Sequence, residues 1–455
     1  MHDRDSVPPS RAPEWKVRTL GPRQVPSPLQ LSSKPDDELP DYVDDGARVL
    51  FKVELQPGEV PSAEQSFEKA GPRETLYFEP RKTRVGIVTS GGLCPGINNV
   101  IRSMVLQLTY KYGVESVLGF RYGFAGLDPA SGCTPMPLGP DEVRHIHMRG
   151  GTVLGTSRGR REAVAMVDTL EKHKIDVLLT IGGDGTMRGA HAIAEEVLRR
   201  GRKIAVVGVP KTIDNDIAYV DKTFGFETAV SMARVAIDAA HTEAVSALNG
   251  IGLVKLMGRE AGFIAAHATL ASRDVNVCLV PEVHFRMEGQ GGLLEYLERR
   301  LTARGHAVIV VAEGCGKVLA GRETETLTAP RDPSGNLRFG SKELDIGSHL
   351  KDRIERHFAD KHLPITLKYI DPSYMIRGVP ANAMDAVFCD ELARHAVHAA
   401  MAGKTDVMVG RWHRSFTHVP LPLALSEKKR IDPDRDLWLA VTETTGQPPL
   451  GNGAA

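Results

Sequence analysis

Residues 176–217 read "DVLLTIGGDGTMRGAHAIAEEVLRRGRKIAVVGVPKTIDNDI", and this stretch decides the fold class. It starts with an apolar run, "DVLLTIGG", passes through a helical pattern at residues 187–200, and enters a second apolar run, "KIAVVGV". Runs that are apolar throughout, rather than alternating, are typical of strands buried on both faces. Two such strands joined by a helix predict parallel strands with a right-handed connection.

The same alternation of strands and helices continues along the chain after residue 82. The other strand candidates are "RVGIVTS", "ESVLGF", "GLVKLMG", "NVCLVPE", "HAVIVVAEG", "TLKYIDP" and "DVMVG". The other helix candidates are residues 97–112, 227–248, 260–272, 293–304 and 382–402. Gly403 is placed to end the last helix, one face of which is formed by Val387, Phe388, Leu392 and Ala396. We predict an α/β protein with doubly wound, largely parallel sheets.

Composition excludes several classes of protein. The chain has 455 residues, of which 42% are hydrophobic and 25% are charged, as in ordinary globular proteins. Lys+Arg and Asp+Glu both total 57, so the chain lacks the basic excess of a nucleic-acid binder. No apolar run approaches the roughly 20 residues that cross a bilayer, and the first residues lack the apolar core of a secretory signal. The five cysteines are scattered and never in CxxC, which predicts reduced thiols and a cytoplasmic location.

Two regions depart from the regular alternation of strands and helices. Residues 1–82 are rich in proline and charge, so we predict a partly irregular N-terminal arm anchored by short pieces such as "ARVLF" and "ETLYFEP". Residues 316–345 are predicted to form a loop or small insertion with "DPSG" as its turn.

Glycine-rich turns follow two of the predicted strands, at the sheet edge where α/β proteins bind ligands. "RVGIVTS" leads into "GGLCPGINN", whose glycines would let backbone amides approach a phosphate, although such turns often merely connect a strand to a helix. "DVLLTIGG" leads into Asp184, Gly185 and Thr186. A carboxylate beside phosphates needs a cation such as Mg²⁺, whereas the alternative is a plain turn in which Asp184 caps the next helix.

The stretch "VPKTIDNDI" places two carboxylates directly after a buried strand. In an extended segment Asp214 and Asp216 would face the same way, so both can point into one pocket. One could take a proton from a substrate hydroxyl while the other tunes the charge or approaches a metal. Thr212 offers a hydroxyl and Lys211 a positive charge. The alternative is a solvated acidic turn without a role.

Further polar side chains occur in glycine-flanked loops and at strand ends. They are Arg158 in "LGTSRG", Arg259 in "KLMGREAG", Glu313 in "VAEG", and Tyr374 and Arg377 in "YIDPSYMIRG". Arginines suit phosphate groups and a carboxylate suits hydroxyls, so the set predicts a pocket for a phosphorylated polyol opposite a Mg-nucleotide. The histidines without a matching ligand set are interpreted as structural or solvated: His145, His147, His395 and His398.

Taken in order, these motifs resemble those of the phosphofructokinase A family, from about Arg84 to about Gly410. The motifs are "GIVTSGGLCPGINNVIR", "LGTSRG", "TIGGDGT", "VPKTIDNDI", "LMGREAGFIA", "PEV", "AEG" and "YIDPSYMIRG". The chain is most similar to the long atypical branch, with plant and trypanosomal ATP-dependent enzymes, which is related to the pyrophosphate-dependent ones. The resemblance implies transfer of the γ-phosphoryl group of Mg-ATP to the 1-hydroxyl of fructose 6-phosphate in glycolysis.

The resemblance also implies two lobes facing across a cleft, in a homodimer or homotetramer. Residues 83–225, with a return segment at about 376–420, would form the nucleotide-binding lobe. Residues 226–375, with a C-terminal segment at 421–455, would form the fructose 6-phosphate-binding lobe.

Residue roles carry over by matching motifs. The implied catalytic residues are Asp214, the expected general base, Arg158, which would stabilise the transferring charge, and Thr212. Asp184 is the expected Mg²⁺ carboxylate. The implied ATP-binding residues are Gly91, Gly92, Arg158, Gly159, Gly183, Asp184, Gly185 and Thr186. The implied sugar-phosphate residues are Thr212, Ile213, Asp214, Met257, Gly258, Arg259, Glu313, Tyr374, Met375, Ile376 and Arg377.

Two positions bear on the phosphoryl donor. Pyrophosphate-using relatives typically carry aspartate at the position of Gly185, where a side chain would obstruct the α-phosphate of ATP. Lys211 instead resembles the pyrophosphate class, as do three other departures from the short bacterial pattern: Gly250, Lys368 and Tyr374. We give Gly185 more weight and predict ATP, because an obstructing side chain vetoes ATP whereas an added lysine need not.

Three rival interpretations stay open. Pyrophosphate-dependent transfer would use the same site. NAD and diacylglycerol kinases share "GGDGT" but lack a partner for "TIDND". A catalytically silent regulatory subunit should have lost Asp184 or Asp214, and both are present.

Overall fold

The computed structural model describes residues 15–34, 36–159, 161–316, 319 and 345–451. The strands of these residues are β1 (Arg18–Thr19), β2 (Val25–Pro26), β3 (Arg48–Leu50), β4 (Ser66–Lys69), β5 (Thr75–Leu76), β6 (Arg84–Thr89), β7 (Ser116–Phe120), β8 (Met136–Pro137), β9 (Val177–Gly182), β10 (Ala205–Pro210), β11 (Gly250–Leu256), β12 (Val277–Leu279), β13 (His306–Ala312), β14 (Thr366–Ile370), β15 (Lys404–Thr405), β16 (Val407–Trp412) and β17 (Ser415–Pro420).

The helices pack against these strands and against one another. They are α1 (Ile97–Leu106), α2 (Ala163–Lys172), α3 (Asp184–Arg199), α4 (Phe226–Val245), α5 (Phe263–Ser272), α6 (Leu293–Arg304), α7 (Ile346–Asp360), α8 (Ser373–Gly378), α9 (Ala383–Met401), α10 (Leu421–Ala424) and α11 (Asp436–Thr445). Helix α1 continues into a π-helical turn at Gln107–Tyr112.

The larger sheet has nine strands in the order β3-β4-β17-β16-β10-β9-β6-β7-β8. The five strands from β16 to β7 are parallel, and antiparallel strands complete both edges. Every residue of β9 and β10 is buried. This burial explains the unbroken apolar runs, because helices cover both faces of a parallel sheet.

The smaller sheet is fully parallel, with the strand order β12-β13-β11-β14. Helix α4 packs against β11 and β13, and α6 packs against β13. The predicted α/β class with doubly wound, largely parallel sheets is therefore confirmed. Each sheet presents the carboxyl ends of its parallel strands, where loops can carry ligand-binding groups.

All nine strands predicted from the apolar runs are present, and helix α6 has the predicted bounds. Gly403 has a φ of +71° just after α9, so its predicted role in ending that helix is confirmed. Val387 was wrongly placed on the buried face, because it is 60% exposed whereas Phe388 and Leu392 are buried. The prediction for residues 316–345 falls almost entirely outside the described residues.

The arm adds more regular structure than its composition predicted. The piece "ARVLF" contributes β3 and "ETLYFEP" contributes β5, as anchoring pieces should, whereas β4 was not predicted. On β4, the buried carboxylate of Glu68 lies 2.7 Å from Lys404 Nζ and 3.0 Å from His418 Nδ1. These partners hold the pKa of Glu68 well below its usual range despite its burial. The pairing fixes the arm to the sheet edge, because a buried carboxylate is stable only when it has partners.

None of the helices in the described part of the chain combines the length and apolar character that a membrane crossing requires.

Candidate active site

Three loops meet at the carboxyl ends of β6, β9 and β10. The Gly91 N–H donates to the carbonyl of Ser157 (3.2 Å), and the Thr156 hydroxyl donates to the carbonyl of Gly91 (2.6 Å). Gly91 has a φ of +91°, a conformation that favours glycine. These bonds tie the loop after β6 to the "LGTSRG" loop, so the first two predicted nucleotide segments lie side by side.

Lys211 lies between these loops and the start of α3. Its ammonium donates to the carbonyl of Gly92 at 2.6 Å. A Cβ built on Gly91 would lie 3.3 Å from Lys211 Nζ and 3.9 Å from Thr186 Oγ1. On Gly92, a Cβ would lie 3.4 Å from a guanidinium nitrogen of Arg158. The glycine turns therefore bring backbone, lysine and arginine to one small region, as a phosphate site requires.

Helix α3 begins at Asp184, directly after β9. Its N-cap is Gly183, so the alternative in which the Asp184 side chain caps the helix is wrong. The Asp184 carboxylate instead lies 3.2 Å from Arg188 one turn later, and about a third of it is exposed. Apart from its own helical turn, none of the described residues comes within 4 Å of a Cβ built on Gly185. The first turn thus presents an accessible carboxylate beside open space.

The segment after β10 is a turn rather than an extended strand. Residues 213 and 214 form the turn, and Asn215 has a φ of +56°. The prediction that Asp214 and Asp216 share a face through strand alternation is therefore wrong in its geometry. The turn is closed by its own side chains, because the Thr212 hydroxyl donates to Asp216 Oδ1 (2.8 Å) and accepts from the Asp214 N–H (3.2 Å). Residues 211–217 are called the reaction turn below.

Asp214 combines burial with a carboxylate oxygen that has no partner. Its Oδ1 is buried and lacks a hydrogen-bond partner among the described residues. Burial, and then the charges of Asp216 and Glu313, raise the pKa of Asp214 to about 8, against the opposing N–H and guanidinium of Arg259. A buried carboxyl with a raised pKa and a free oxygen is the pattern expected of a general base.

Lys211 supplies positive charge next to this carboxyl. The residue is buried, and burial lowers the pKa of its ammonium. The neighbouring charge of Arg158 lowers that pKa further, whereas Asp214 and Asp216 oppose the shift. Two cations and two carboxylates therefore influence one another where the reaction turn meets the glycine loops.

The smaller sheet adds two charged groups at the ends of β11 and β13. Arg259 Nε lies 3.5 Å from Glu313 Oε1. The close loop depends on Gly258, which has a φ of +127° and accepts a hydrogen bond from the Gly314 N–H. Burial raises the pKa of Glu313. The charge of Glu313 raises the pKa of Asp214, and Arg259 lowers it. These two predicted sugar-phosphate residues, which follow strands of the smaller sheet, therefore lie near the reaction turn.

Helix α8 carries the last predicted group, and its members differ in exposure. Tyr374 is 80% exposed and Met375 is 68% exposed, with the Arg377 guanidinium 4.5 Å from the Tyr374 ring centre. Ile376 is fully buried. Its side chain packs in the core and cannot line a ligand surface, which corrects its predicted role. Arg377 remains near Glu313, whose pKa its charge lowers.

Sequence reasoning missed two lysines near the site. Lys255 lies 2.9 Å from both Asp345 and Asp371, and a lone lysine within the apolar strand "GLVKLMG" was an available signal. Lys429 contacts the reaction turn from the C-terminal segment. It lies in the charged run "SEKKR", which carries no signal that separates it from its neighbours.

Cysteine chemistry has no place in this site. All five cysteines are free, and four of them are buried. Burial raises the pKa of the Cys94 thiol beside Lys211 far above its usual range, so it stays protonated.

Comparisons with known proteins give a consistent result. A family model described as phosphofructokinase matches residues 84–400. The chain is 46% identical to an ATP-dependent 6-phosphofructokinase of Borreliella burgdorferi, covering 96% of this chain and 97% of that protein. It is 47% identical to an ATP-dependent 6-phosphofructokinase of Amycolatopsis methanolica, covering 96% of this chain and 95% of that protein. It is 48% identical to ATP-dependent 6-phosphofructokinase 7 of Arabidopsis thaliana, covering 84% and 77%.

Two solved structures share the fold at low sequence identity. A pyrophosphate-dependent phosphofructokinase from Marinobacter aquaeolei has a TM-score of 0.64 at 20% identity, covering 82% of this chain and 92% of that chain. Phosphofructokinase from Pichia pastoris in the T-state has a TM-score of 0.60 at 22% identity, covering 75% and 37%.

Proposed function

The chain belongs to the phosphofructokinase family, and from that premise we propose that it is an ATP-dependent 6-phosphofructokinase. It transfers the γ-phosphoryl group of Mg-ATP to the 1-hydroxyl of D-fructose 6-phosphate and yields fructose 1,6-bisphosphate, a step of glycolysis. The observation that carries the chemistry is the buried Oδ1 of Asp214, which has no hydrogen-bond partner among the described residues. A substrate hydroxyl supplies the missing donor.

Asp214 acts as the general base in this mechanism. It accepts the proton of the 1-hydroxyl as the oxygen attacks the phosphoryl group, which activates the nucleophile. The groups that raise its pKa also make it a stronger base. Thr212 and Asp216 hold the turn closed around it through their mutual hydrogen bond.

Arg158 and Lys211 stabilise the charge that spreads over the transferring phosphoryl oxygens. Both reach the glycine loops whose backbone amides and helix N-terminus favour anions. On the other side, Arg259 and Arg377 suit the sugar phosphate and Glu313 suits the sugar hydroxyls. Positioning and fixed charge supply most of the catalysis in reactions of this class.

Asp184 fits a magnesium site, which we propose as part of this function. Its carboxylate is a hard oxygen donor and is partly exposed at the edge of the glycine loops. Its ion pair with Arg188 joins two accessible side chains, so a divalent cation can replace it. The ion would enter with the nucleotide and neutralise part of the phosphate charge.

Asp184→Asn is expected to weaken the use of Mg-ATP. Losing the carboxylate should raise the Mg²⁺ concentration needed for half-maximal rate by about tenfold or more, because Mg²⁺ is usually held by only one or two carboxylates. The measurement is initial rate against free Mg²⁺ at fixed ATP. Arg188→Gln is the matched control, since it breaks the same ion pair while keeping the carboxylate. It should not raise the Mg²⁺ concentration needed for half-maximal rate. An unchanged dependence in Asp184→Asn would contradict the assignment.

The pH dependence of the reaction should follow Asp214. A general base works only when ionised, and the pKa of Asp214 lies at about 8. We expect the logarithm of kcat/KM to rise with a slope of about one per pH unit below that value. A profile from about pH 6 to pH 9 in a constant-ionic-strength buffer measures this. A flat profile across that range would exclude Asp214 as the titrating base.

Location and assembly are also proposals. The free cysteines support a reducing compartment, and we propose the cytoplasm. We further propose a homodimer or homotetramer. It is supported by large apolar side chains that stay exposed on α8 and the start of α9: Tyr374, Met375, Met384 and Val387.

The acceptor position is tested by ³¹P NMR of the product. Purified protein incubated with Mg²⁺, ATP and fructose 6-phosphate should produce a second sugar phosphomonoester signal in step with ADP. Release of inorganic phosphate without that signal would contradict the transfer reaction.

A further inference from the structure

The C-terminal segment "SEKKRI", residues 426–431, crosses the reaction turn. The backbone N–H of Lys429 donates to the carbonyl of Asp216 at 3.1 Å. Lys428 and Ile217 form an antiparallel bridge at the same place. The segment therefore pairs directly with the turn that carries Asp214, although more than 200 residues separate them in the sequence.

The side chain of Lys429 reaches under the turn and donates to three oxygens. These are Asn215 Oδ1 (3.1 Å), the carbonyl of Val220 (3.1 Å) and the carbonyl of Asp221 (2.6 Å). An ammonium has three N–H groups, so the three acceptors use its full donor capacity. The ammonium also lies 5.3 Å from the centre of the Phe263 ring.

Asn215 links the turn to its surroundings. It lies between Asp214 and Asp216 with a φ of +56°, a left-handed conformation that asparagine adopts more readily than most residues other than glycine. Its Oδ1 accepts from Lys429 and from the Thr223 N–H (3.1 Å). These two hydrogen bonds hold the Asn215 side chain in place and so help to select one conformation of the turn. Since Asp214 is the preceding residue, the direction of its carboxylate depends on that conformation.

The same segment is attached to the loop that follows β11. Glu282 accepts from the Ile431 N–H (2.9 Å) and from the Gly262 N–H (3.0 Å). Arg430 lies 3.4 Å from Glu260. Residues 429–431 therefore connect the reaction turn to the loop that carries Arg259.

We propose that Lys429 is a positioning residue, which holds Asn215 and so fixes Asp214 against the attacking hydroxyl. The lysine acts through the turn and touches neither substrate. This inference rests on the proposed function. Its expected signature is a loss of kcat that is much larger than any change in the fructose 6-phosphate KM, because the Lys429 ammonium donates to Asn215, Val220 and Asp221 rather than to Arg259, Glu313 or Arg377.

Lys429→Met is the first test, with Lys428→Met as the matched control in the adjacent residue, which lacks the three side-chain contacts. Assays at about pH 7 keep the ammonium charged, because burial lowers the pKa of Lys429 to about 8. We expect Lys429→Met to lose roughly 10- to 100-fold in kcat, as misplacement of a reacting group by about 1 Å does. The kcat of Lys428→Met should stay within about twofold of wild type, because the substitution keeps the backbone bridge to Ile217 and removes none of the three contacts of the Lys429 ammonium.

Two further variants separate a loss of positioning from a loss of folding. Lys429→Arg keeps the charge and several donors and should recover a large part of the lost kcat. If Lys429→Met is not recovered folded, as judged by its melting temperature, Lys429→Gln replaces it, since it keeps one donor group near the same place.

Three outcomes would overturn the inference: a wild-type kcat in folded Lys429→Met or Lys429→Gln, a loss confined to KM, or an equal loss in Lys428→Met. Failure of the proposed function is distinguishable from all three, because wild-type protein would then lack fructose 6-phosphate kinase activity.

Discussion

Asp214→Ser is expected to lower kcat by about 10²- to 10⁴-fold, the usual worth of a general base, while the fructose 6-phosphate KM changes far less. In the proposed mechanism this substitution removes the carboxylate that accepts the hydroxyl proton, whereas Arg259, Glu313 and Arg377 would still hold the sugar. Initial rates at saturating Mg-ATP with varied fructose 6-phosphate give both parameters. A kcat near the wild-type value, or a loss found only in KM, would remove Asp214 from the mechanism.

Stability provides an independent check on the same variant. The pKa of Asp214 is higher in the folded protein than in the unfolded chain, so its ionisation opposes folding as the pH rises towards about 8. Asp214→Ser removes that effect and should not lower the melting temperature at pH 8. Asp390→Ser is the matched control on the surface of α9, where it breaks only an exposed pair with Arg394 and should leave kcat unchanged. A large drop in melting temperature would show that Asp214 is structural.

Gly185→Asp is expected to reduce kcat/KM for ATP by about 100-fold or more, with fructose 6-phosphate binding retained. The added carboxylate would stand beside Asp184, next to the nucleotide phosphates, where little water screens like charges. Gly185 lies in the first turn of α3 without a positive φ, and no described residue outside that turn lies within 4 Å of its added Cβ. The substitution therefore adds charge without straining the backbone, and an acidic residue in a first helical turn is favourable for the fold.

Two controls separate charge from bulk at this position. Gly185→Ala adds only a methyl group in open space and should keep most of the ATP activity. Gly185→Asn matches aspartate in size without its charge, so its kcat/KM should fall between those of the other two variants. The measurements are kcat/KM for ATP and the calorimetric affinity for fructose 6-phosphate, each determined for wild type and the three variants. Normal use of ATP by Gly185→Asp would contradict its role as the donor filter.

Much of the fold was predictable because parallel strands record their burial as unbroken apolar runs. "DVLLTIGG" and "KIAVVGV" became β9 and β10, and all their strand residues are buried. Strand β4 was not predictable in this way. It depends on Glu68, whose carboxylate is stable in the interior only because Lys404 and His418 meet it from far along the chain.

The candidate site was predictable in its motifs but not in its geometry. Glycines and charged residues at strand ends pointed to the loops that the structure brings together. The reaction turn is different, because Asn215 adopts a left-handed conformation that strand alternation cannot foresee. Lys429 reaches the turn through tertiary contacts alone, and no local pattern marks it.

The measurement that tests the ATP assignment most directly compares phosphoryl donors with wild-type protein. Fructose 6-phosphate and Mg²⁺ are held at fixed concentrations, and kcat/KM is determined for ATP and for pyrophosphate in parallel. Open space at Gly185 and the ATP-dependent relatives predict strong preference for ATP. A preference for pyrophosphate would contradict that assignment and make Lys211, rather than Gly185, the better guide to the donor.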